Sequence, residues 1–205
     1  MENLKFLALQ YLNDWYDDES DFVADLSSSN DRDARLCCIQ KAAKYYKVIR
    51  NFKILAGEKR LDKALQALDA VGDSITDENV DLIVCELART FQLTYGTNAI
   101  SAASKFLWIR HRSPVVIYDD RAYRRLNKGC GGESGQCDYT KYRREWLKQF
   151  AKREEHLRLA CAELVRVKDF SLAHAVADED LERLVGNRWF RERVFDYFLW
   201  WNANN

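Results

Sequence analysis

The chain has 205 residues and a mass of 24.0 kDa, with 32 basic and 32 acidic residues. At 47% hydrophobic residues it can bury a sizeable core, which excludes a disordered tail. A single proline and eight glycines argue against a turn-rich β-sandwich and favour long helices. The neutral total gives no sign of a nucleic-acid partner, but it does not describe how the charges are distributed.

The sequence carries no sign of export or of membrane insertion. No run approaches the roughly 18 apolar residues of a membrane-spanning helix, and residues 1–5 lack the features of a signal peptide. The six cysteines form no compact scaffold spacing. We therefore expect a cytoplasmic protein with reduced thiols and no membrane partner.

Helical spacing of apolar residues dominates the first half of the chain. The expected elements are, in order, helices over 2–17, 32–55, 60–71 and about 80–95, with a loop at 27–31 and a helix cap at 76–79.

The second half continues in the same way. Its expected elements are a turn at 96–98, a helix over 99–112, an extended piece at 115–118 after Pro114, a short helix over 120–126, a glycine-rich surface loop over 127–138, and helices over 139–167, 178–186 and 188–201. The sequence therefore predicts an all-α protein of about nine helices.

The helix predicted over 99–112 is unlike the others. Its apolar residues fall on two sides, which indicates a central helix that is buried most of the way round. The remaining stripe carries Ser101, Lys105, Trp108 and Arg112. An unpaired ammonium is strongly disfavoured in an apolar site, so Lys105 either reaches the surface or is held ready for nucleophilic work. Spacing alone favours the surface position.

The residues around this helix resemble a known family. Asp119 follows Lys105 by fourteen residues, past the proline and the extended piece. The strings that carry the resemblance are Tyr95-Gly96-Thr97-Asn98-Ala99-Ile100-Ser101, Ala103-Ser104-Lys105-Phe106-Leu107-Trp108 and Ile117-Tyr118-Asp119-Asp120-Arg121-Ala122. Together they resemble the helix-hairpin-helix superfamily of DNA glycosylases, in its 8-oxoguanine DNA glycosylase-like branch. The match covers about residues 80–128 and is close to bacterial glycosylase-like proteins of anti-phage defence.

The resemblance implies a helical two-lobe bundle that contains a helix-hairpin-helix, with the active site in the cleft between the lobes. It implies one glycosylase-like unit over residues 1–205. Lys105 would attack the anomeric carbon, with an accompanying lyase step, and Asp119 would stabilise positive charge on the sugar. Asp119 also suits a helix N-cap. Asp120 is the alternative carboxylate, because the doubled aspartate leaves the register open by one residue.

The charges are distributed unevenly along the chain. Residues 14–33 hold eight acids and one base, whereas residues 105–153 hold thirteen bases and five acids. A basic segment around Lys105 is what phosphate binding requires, although a solvated helix face is also charged. The residues that we expect to contact phosphates of double-stranded DNA are Arg110, Arg112, Arg121 and Arg125.

A glycosylase extrudes its base and stacks it on aromatic or apolar groups. Trp108, one turn beyond Lys105, is the best-placed aromatic residue, and Tyr118 beside Asp119 is the second. The resemblance alone suggests a modified base, including a sugar-decorated base of a phage genome.

No cofactor or metal is expected. Cys130 and Cys137 have the spacing of the first two ligands of an iron–sulfur cluster, but the further pair is missing, so we expect no cluster. Zinc on these cysteines with His156 or His174 has only weak support.

Two other functions stay open at this point. The chain is either a monomeric glycosylase, a non-catalytic helical DNA-binding protein that keeps the basic face, or a helical interaction or toxin–antitoxin component whose acidic segment contacts a basic partner.

Overall fold

The structure, a computed structural model, describes residues 2–28, 31–126 and 139–202. Twelve α-helices and no strands occur within these ranges, so the predicted all-α class is confirmed. The glycine-rich loop predicted at 127–138, with Cys130 and Cys137, lies outside the described residues. None of the described helices has the length and apolar character that a membrane crossing requires.

The helices follow one another with short connections. In chain order they are α1 (Glu2–Asp14), α2 (Ser20–Ser28), α3 (Arg32–Tyr45), α4 (Asp62–Asp69), α5 (Val80–Tyr95), α6 (Ile100–His111), α7 (Asp120–Leu126), α8 (Tyr139–Ala151), α9 (Glu154–Ala162), α10 (Leu164–Val167), α11 (Asp178–Gly186) and α12 (Arg188–Asn202). A π-helical segment, Trp15–Glu19, joins α1 to α2. Short 3₁₀ turns lie at Ile49–Asn51 and Lys168–Phe170.

The helix predicted over 32–55 is shorter than expected, because α3 ends at Tyr45. Lys47 adopts a left-handed φ of 57°, which a continuing helix does not allow. Farther along, Arg60 Nε donates a hydrogen bond to the carbonyl oxygen of Phe52 at 2.7 Å. Because a lysine and not a glycine adopts this conformation, no residue type in the sequence marks the end of the helix.

The single long helix predicted over 139–167 is wrong, since three helices, α8 to α10, occupy that range. The backbone N–H of Arg153 bonds to the carbonyl oxygen of Phe150, three residues earlier, at 2.8 Å. An α-helix bonds to the residue four positions earlier, so the last turn of α8 is tightened here. Arg153 Nη1 also donates to the carbonyl oxygen of Gln149 at 3.2 Å. The arginine thereby bonds a carbonyl at the end of α8, and neither glycine nor proline marks the break.

The described chain divides into two compact units. The terminal unit comprises residues 2–20, 119–126 and 141–202. The central unit comprises residues 21–28, 31–118 and 139–140. The two-lobe arrangement with a cleft stays a prediction.

The central unit is built around α6. Every residue from Ala102 to Ile109 is buried, which confirms the central helix predicted from its two apolar sides. Helix α5 packs beside α6. Gly96, with φ of 74°, ends α5 and begins the turn between the two helices. Phe52 joins the two helices, with its ring centroid 5.3 Å from that of Phe91 and 5.7 Å from that of Phe106.

The thiols of the described residues are not uniform. Cys37, Cys38 and Cys161 are free, and burial raises the pKa of both Cys38 and Cys161 to about 12. Cys85 on α5 is disulfide-bonded. The prediction of reduced thiols is therefore wrong for this cysteine.

The terminal unit packs α1 against α12, and the rings of Tyr11 and Phe190 lie 4.8 Å apart. A buried charge cluster lies in the same unit. Arg193 donates to Glu19 Oε1 at 2.6 Å and to Asp196 Oδ2 at 3.0 Å. Glu19 is fully buried and lies in the π-helical segment, a type of distortion that places side chains where a regular α-helix does not.

Asp196 has a further partner besides Arg193. Its Oδ1 accepts a hydrogen bond from Trp146 Nε1 at 2.8 Å, and its side chain is 13% exposed. Burial raises the pKa of this carboxyl to about 7, although Arg193 and the two hydrogen bonds act in the opposite direction. The folded protein therefore holds a proton between pH 4 and 7 that the unfolded chain has released.

Asp196 should raise the free energy of unfolding as the pH falls from 7 towards 4, because over that range its carboxyl holds a proton in the folded state and not in the unfolded one. Asp196 contributes at most about 4 kcal/mol to this change. Asp196→Asn accepts the same hydrogen bond from Trp146 but takes up no proton, so its pH dependence should be flatter. Urea unfolding followed by tryptophan fluorescence at pH 5 and 7 measures the difference. Equal slopes in the variant and the wild type would contradict the assignment.

Candidate functional site

Lys105 lies in the middle of α6, and only 7% of the residue is exposed. The surface position that spacing alone favours for this lysine is therefore wrong. Burial of an amine is unfavourable unless polar groups surround it. The groups that surround Lys105 within the central unit therefore form the candidate site.

Two side chains of the central unit contact the amine. Lys105 Nζ donates a hydrogen bond to Ser101 Oγ at 2.8 Å, one helical turn earlier on α6. The amine also lies over the ring of Tyr46, 5.8 Å from its centroid, in cation–π geometry. Ser101 belongs to the stripe predicted from the sequence, whereas Tyr46 follows the end of α3. The amine thus has a hydroxyl on its own helix and an aromatic face from another.

The extended piece 115–118 is held against α6 by hydroxyl groups. Ser101 Oγ donates to the carbonyl oxygen of Tyr118 at 3.1 Å, and the Tyr118 N–H donates to Ser104 Oγ at 2.9 Å. Tyr139 Oη accepts from the Val116 N–H at 3.0 Å and lies 2.8 Å from its carbonyl oxygen, to which it donates. This backbone forms no sheet, so side-chain hydroxyls supply the partners that its buried polar groups need.

These bonds connect the amine to the backbone that leads into Asp119. Ser101 accepts from Lys105 and donates to Tyr118, the residue immediately before Asp119. The Ser101 hydroxyl therefore connects the position of the extended piece to the position of the amine.

Asp119 is the N-cap of α7, as predicted. Its Oδ1 accepts hydrogen bonds from the backbone N–H groups of Arg121 at 2.9 Å and Ala122 at 3.4 Å. Asp120, the alternative carboxylate, is exposed in the first turn of the helix. Asp119 belongs to the terminal unit and Lys105 to the central unit, so their pairing in one site stays a prediction.

The two predicted base-stacking residues are both buried. Trp108 is 1% exposed and Tyr118 is 9% exposed. An aromatic ring stacks on a base only if one of its faces is accessible. Their assignment as base-binding residues stays a prediction, and it requires the site to open around them.

Arg110 differs from the other arginines predicted to bind DNA. Its Nη1 donates to the carbonyl oxygen of Leu68 at 2.7 Å, near the end of α4, and its Nη2 donates to Asp73 Oδ1 at 2.9 Å. The side chain is 18% exposed. Arg110 thus stabilises the end of α4 inside the central unit, and a phosphate contact would compete with these bonds.

The other three predicted phosphate contacts have more open positions. Arg112, after the end of α6, is half-buried with φ of 57°. Arg121 and Arg125 are exposed on α7, and the Arg121 guanidinium lies 5.1 Å from the ring centroid of Trp200. Two exposed guanidinium groups on one short helix are compatible with phosphate binding, which itself stays a prediction.

Ser101 and Tyr46 are the residues whose importance the sequence did not reveal. Ser101 was visible as the residue one turn before Lys105 on the same stripe, but nothing distinguished it from an ordinary helix serine. Tyr46 is remote from Lys105 in the chain, and only the fold brings the two together. No signal in the sequence would have found it.

Metal binding finds no site in the part of the chain that the structure describes, where no group of three or more histidine, cysteine, aspartate or glutamate side chains has a suitable arrangement. His111 is a half-buried residue at the end of α6. Burial, and then the charge of Arg110, lower its pKa.

Comparisons of the chain with protein-family models, with curated proteins and with solved structures find no match.

Arg110→Met should destabilise the protein by about 1.5–3 kcal/mol, because it leaves the Leu68 carbonyl without this donor and removes the partner of Asp73. Arg124→Met, which changes an exposed arginine of α7, is the control and should remain within about 0.5 kcal/mol of the wild type. Urea midpoints measure both. If Arg110→Met has the wild-type midpoint and only weakens DNA binding, Arg110 is a phosphate contact.

Proposed function

We propose that the protein is a DNA glycosylase with an accompanying lyase step, in which Lys105 is the nucleophile. The single observation that carries the proposal is that Lys105 is buried and donates a hydrogen bond to Ser101 Oγ. The same hydroxyl donates to the carbonyl oxygen of Tyr118, the residue immediately before Asp119. A lysine in the centre of a buried helix is rare unless it has a function or a partner. The resemblance of residues 80–128 to helix-hairpin-helix glycosylases supplies the reaction class.

The chemistry suits this arrangement. The neutral amine attacks the anomeric carbon of an extruded nucleotide, the bond between sugar and base breaks, and the base leaves with the bonding electrons and takes up a proton. The resulting secondary amine opens the sugar ring and becomes a Schiff base, which permits elimination of the 3′ phosphate. Burial limits access of water, which would otherwise compete with the amine.

Asp119 would act through its charge. Departure of the base leaves positive charge on the sugar, and a fixed carboxylate lowers the free energy of that state. The bonds from the Arg121 and Ala122 N–H groups hold the carboxylate in place before substrate binds. The capping role and the electrostatic role are therefore compatible.

The exposed arginines of α7 would bind the DNA backbone next to Asp119. Arg121 and Arg125 are the residues of the predicted set that best suit this role. We expect binding to weaken steeply with salt, because each phosphate contact releases counterions.

The interaction-component alternative is less well supported than the glycosylase. Several acids of segment 14–33 already have partners within their own unit. Tyr197 donates a hydrogen bond to Asp14, Arg193 pairs with Glu19, and Lys59 pairs with Asp33 at 2.9 Å. These carboxylates are not available as a continuous acidic surface for a basic partner.

Borohydride trapping tests the role of Lys105. A duplex with one abasic site should give a covalent complex with the wild-type protein, because borohydride reduces the Schiff base between the amine and the sugar. Lys105→Gln should give none, since an amide cannot form it. Lys63→Gln, which changes an exposed lysine of α4, is the control and should trap like the wild type.

The other outcomes discriminate between the alternatives. Undiminished trapping by Lys105→Gln would contradict the proposal. Release of free base without any trapping would make the enzyme a monofunctional glycosylase. Wild-type DNA binding without base release from any modified genome in a panel would favour the non-catalytic DNA-binding protein.

Asp119→Asn should separate capping from catalysis. Asparagine caps a helix about as well as aspartate, so the free energy of unfolding should change little. Loss of the negative charge should lower the rate of base release by roughly 100-fold or more. Single-turnover release of free base and urea unfolding measure the two effects. Asp120→Asn is the matched control, and a larger loss in that variant would reassign the catalytic carboxylate.

A further inference from the structure

We propose that the ring of Tyr46 is the surface on which the extruded base stacks beside Lys105. The inference rests on the proposed glycosylase function and adds the residue that recognises the base. The centroid of the Tyr46 ring lies 5.8 Å from Lys105 Nζ.

The distance matches what the reaction requires. An attacking nitrogen lies about 3–3.5 Å from the carbon that it attacks, and a single carbon–nitrogen bond of about 1.45 Å connects that carbon to the base. The glycosidic nitrogen is therefore within about 5 Å of the amine. Stacked rings have centroids about 4.5–7 Å apart, so with the amine 5.8 Å from the Tyr46 centroid one position of the base can satisfy both distances.

Accessibility separates Tyr46 from the aromatic residues predicted earlier. Tyr46 is partly exposed, whereas Trp108 is 1% exposed and Tyr118 is 9% exposed. Within the central unit Tyr46 is thus an aromatic residue that both contacts the amine and reaches solvent. Part of Tyr46 is therefore open to a base that arrives from outside.

The backbone of Tyr46 and the neighbouring ring of Tyr45 both restrict the position of the Tyr46 ring. The Tyr46 N–H bonds to the carbonyl oxygen of Ala42 at 2.9 Å and completes the last turn of α3. Lys47 then turns the chain with its left-handed φ, and the ring of Tyr45 meets that of Tyr46 edge-on at 4.9 Å. A rigid aromatic surface loses little conformational entropy when a base stacks on it.

The amine adds a reason for the pairing. A protonated amine over an aromatic face is stabilised by the negative charge density of that face. A base that stacks on Tyr46 competes for the same face and removes that stabilisation of the charged amine.

Two assays on the same variants test the proposal. Base release uses a duplex with one 8-oxoguanine or, if the wild type leaves that duplex intact, the modified phage genomic DNA from which it releases most base. Borohydride trapping uses a duplex with a preformed abasic site, which carries no base to stack. A residue that holds the base affects only the first assay, whereas a residue that only supports the fold affects both.

Tyr46→Ala should lower the rate of base release by roughly 10- to 100-fold, because stacking on the ring is lost. Trapping at the abasic site should stay within about twofold of the wild type. Tyr46→Phe and Tyr46→Trp should restore base release, because both present an aromatic face. Tyr45→Leu is the control for the end of α3 and should affect base release by less than Tyr46→Ala.

Each remaining outcome counts against the proposal. If Tyr46→Ala loses base release and trapping equally, or loses neither, the assignment of Tyr46 is overturned and the glycosylase proposal is left intact. A wild-type protein that neither traps the abasic duplex nor releases base from either substrate overturns both proposals.

Discussion

The structure depends above all on the burial of one amine. Lys105 lies on a helix that is apolar on two sides, so its charge must be met by groups that the fold supplies. Ser101 supplies a hydroxyl from the same helix, and that hydroxyl also holds the carbonyl of Tyr118. The position of the amine and the path of the extended piece are therefore determined together. In a low-dielectric interior such a connected set of hydrogen bonds is stronger than the same bonds in water, and losing one member is costly.

The neutral total charge of the chain conceals two uses of charge. Some charged groups are internal, such as Arg193, which bonds to Glu19 and Asp196. Removal of one partner from such a buried pair destabilises the protein. Others, such as Arg121 and Arg125, face solvent. The basic excess counted over 105–153 mixes both kinds, because Arg143 in that segment is only 6% exposed. A count of charges along the sequence is thus an upper limit on the charge available to a partner.

The helices with strong periodicity were the predictable part of the fold. The central position of α6, the cap at Asp119 and the last two helices follow from apolar spacing and local capping chemistry, which depend on neighbouring residues. The ends of α3 and α8 were not predictable, because they depend on a left-handed lysine and on the side chain of Arg153. The candidate site divides in the same way. Spacing places Lys105 and Ser101 on one stripe of a helix but favours the surface for the lysine. Its burial, the internal role of Arg110 and the position of Tyr46 depend on contacts between distant segments.

The composition of the terminal unit has a consequence for the order in which the chain folds during synthesis. Helix α1 is synthesised well before α12, yet the face that carries Tyr11 is covered by Phe190 of α12. At about 5–20 residues per second the ribosome needs roughly ten to forty seconds to deliver the missing helix. For that time α1 has an uncovered apolar face, while most of the residues of the central unit have already emerged. Helix α1 therefore reaches its final packing only after α12 has been synthesised.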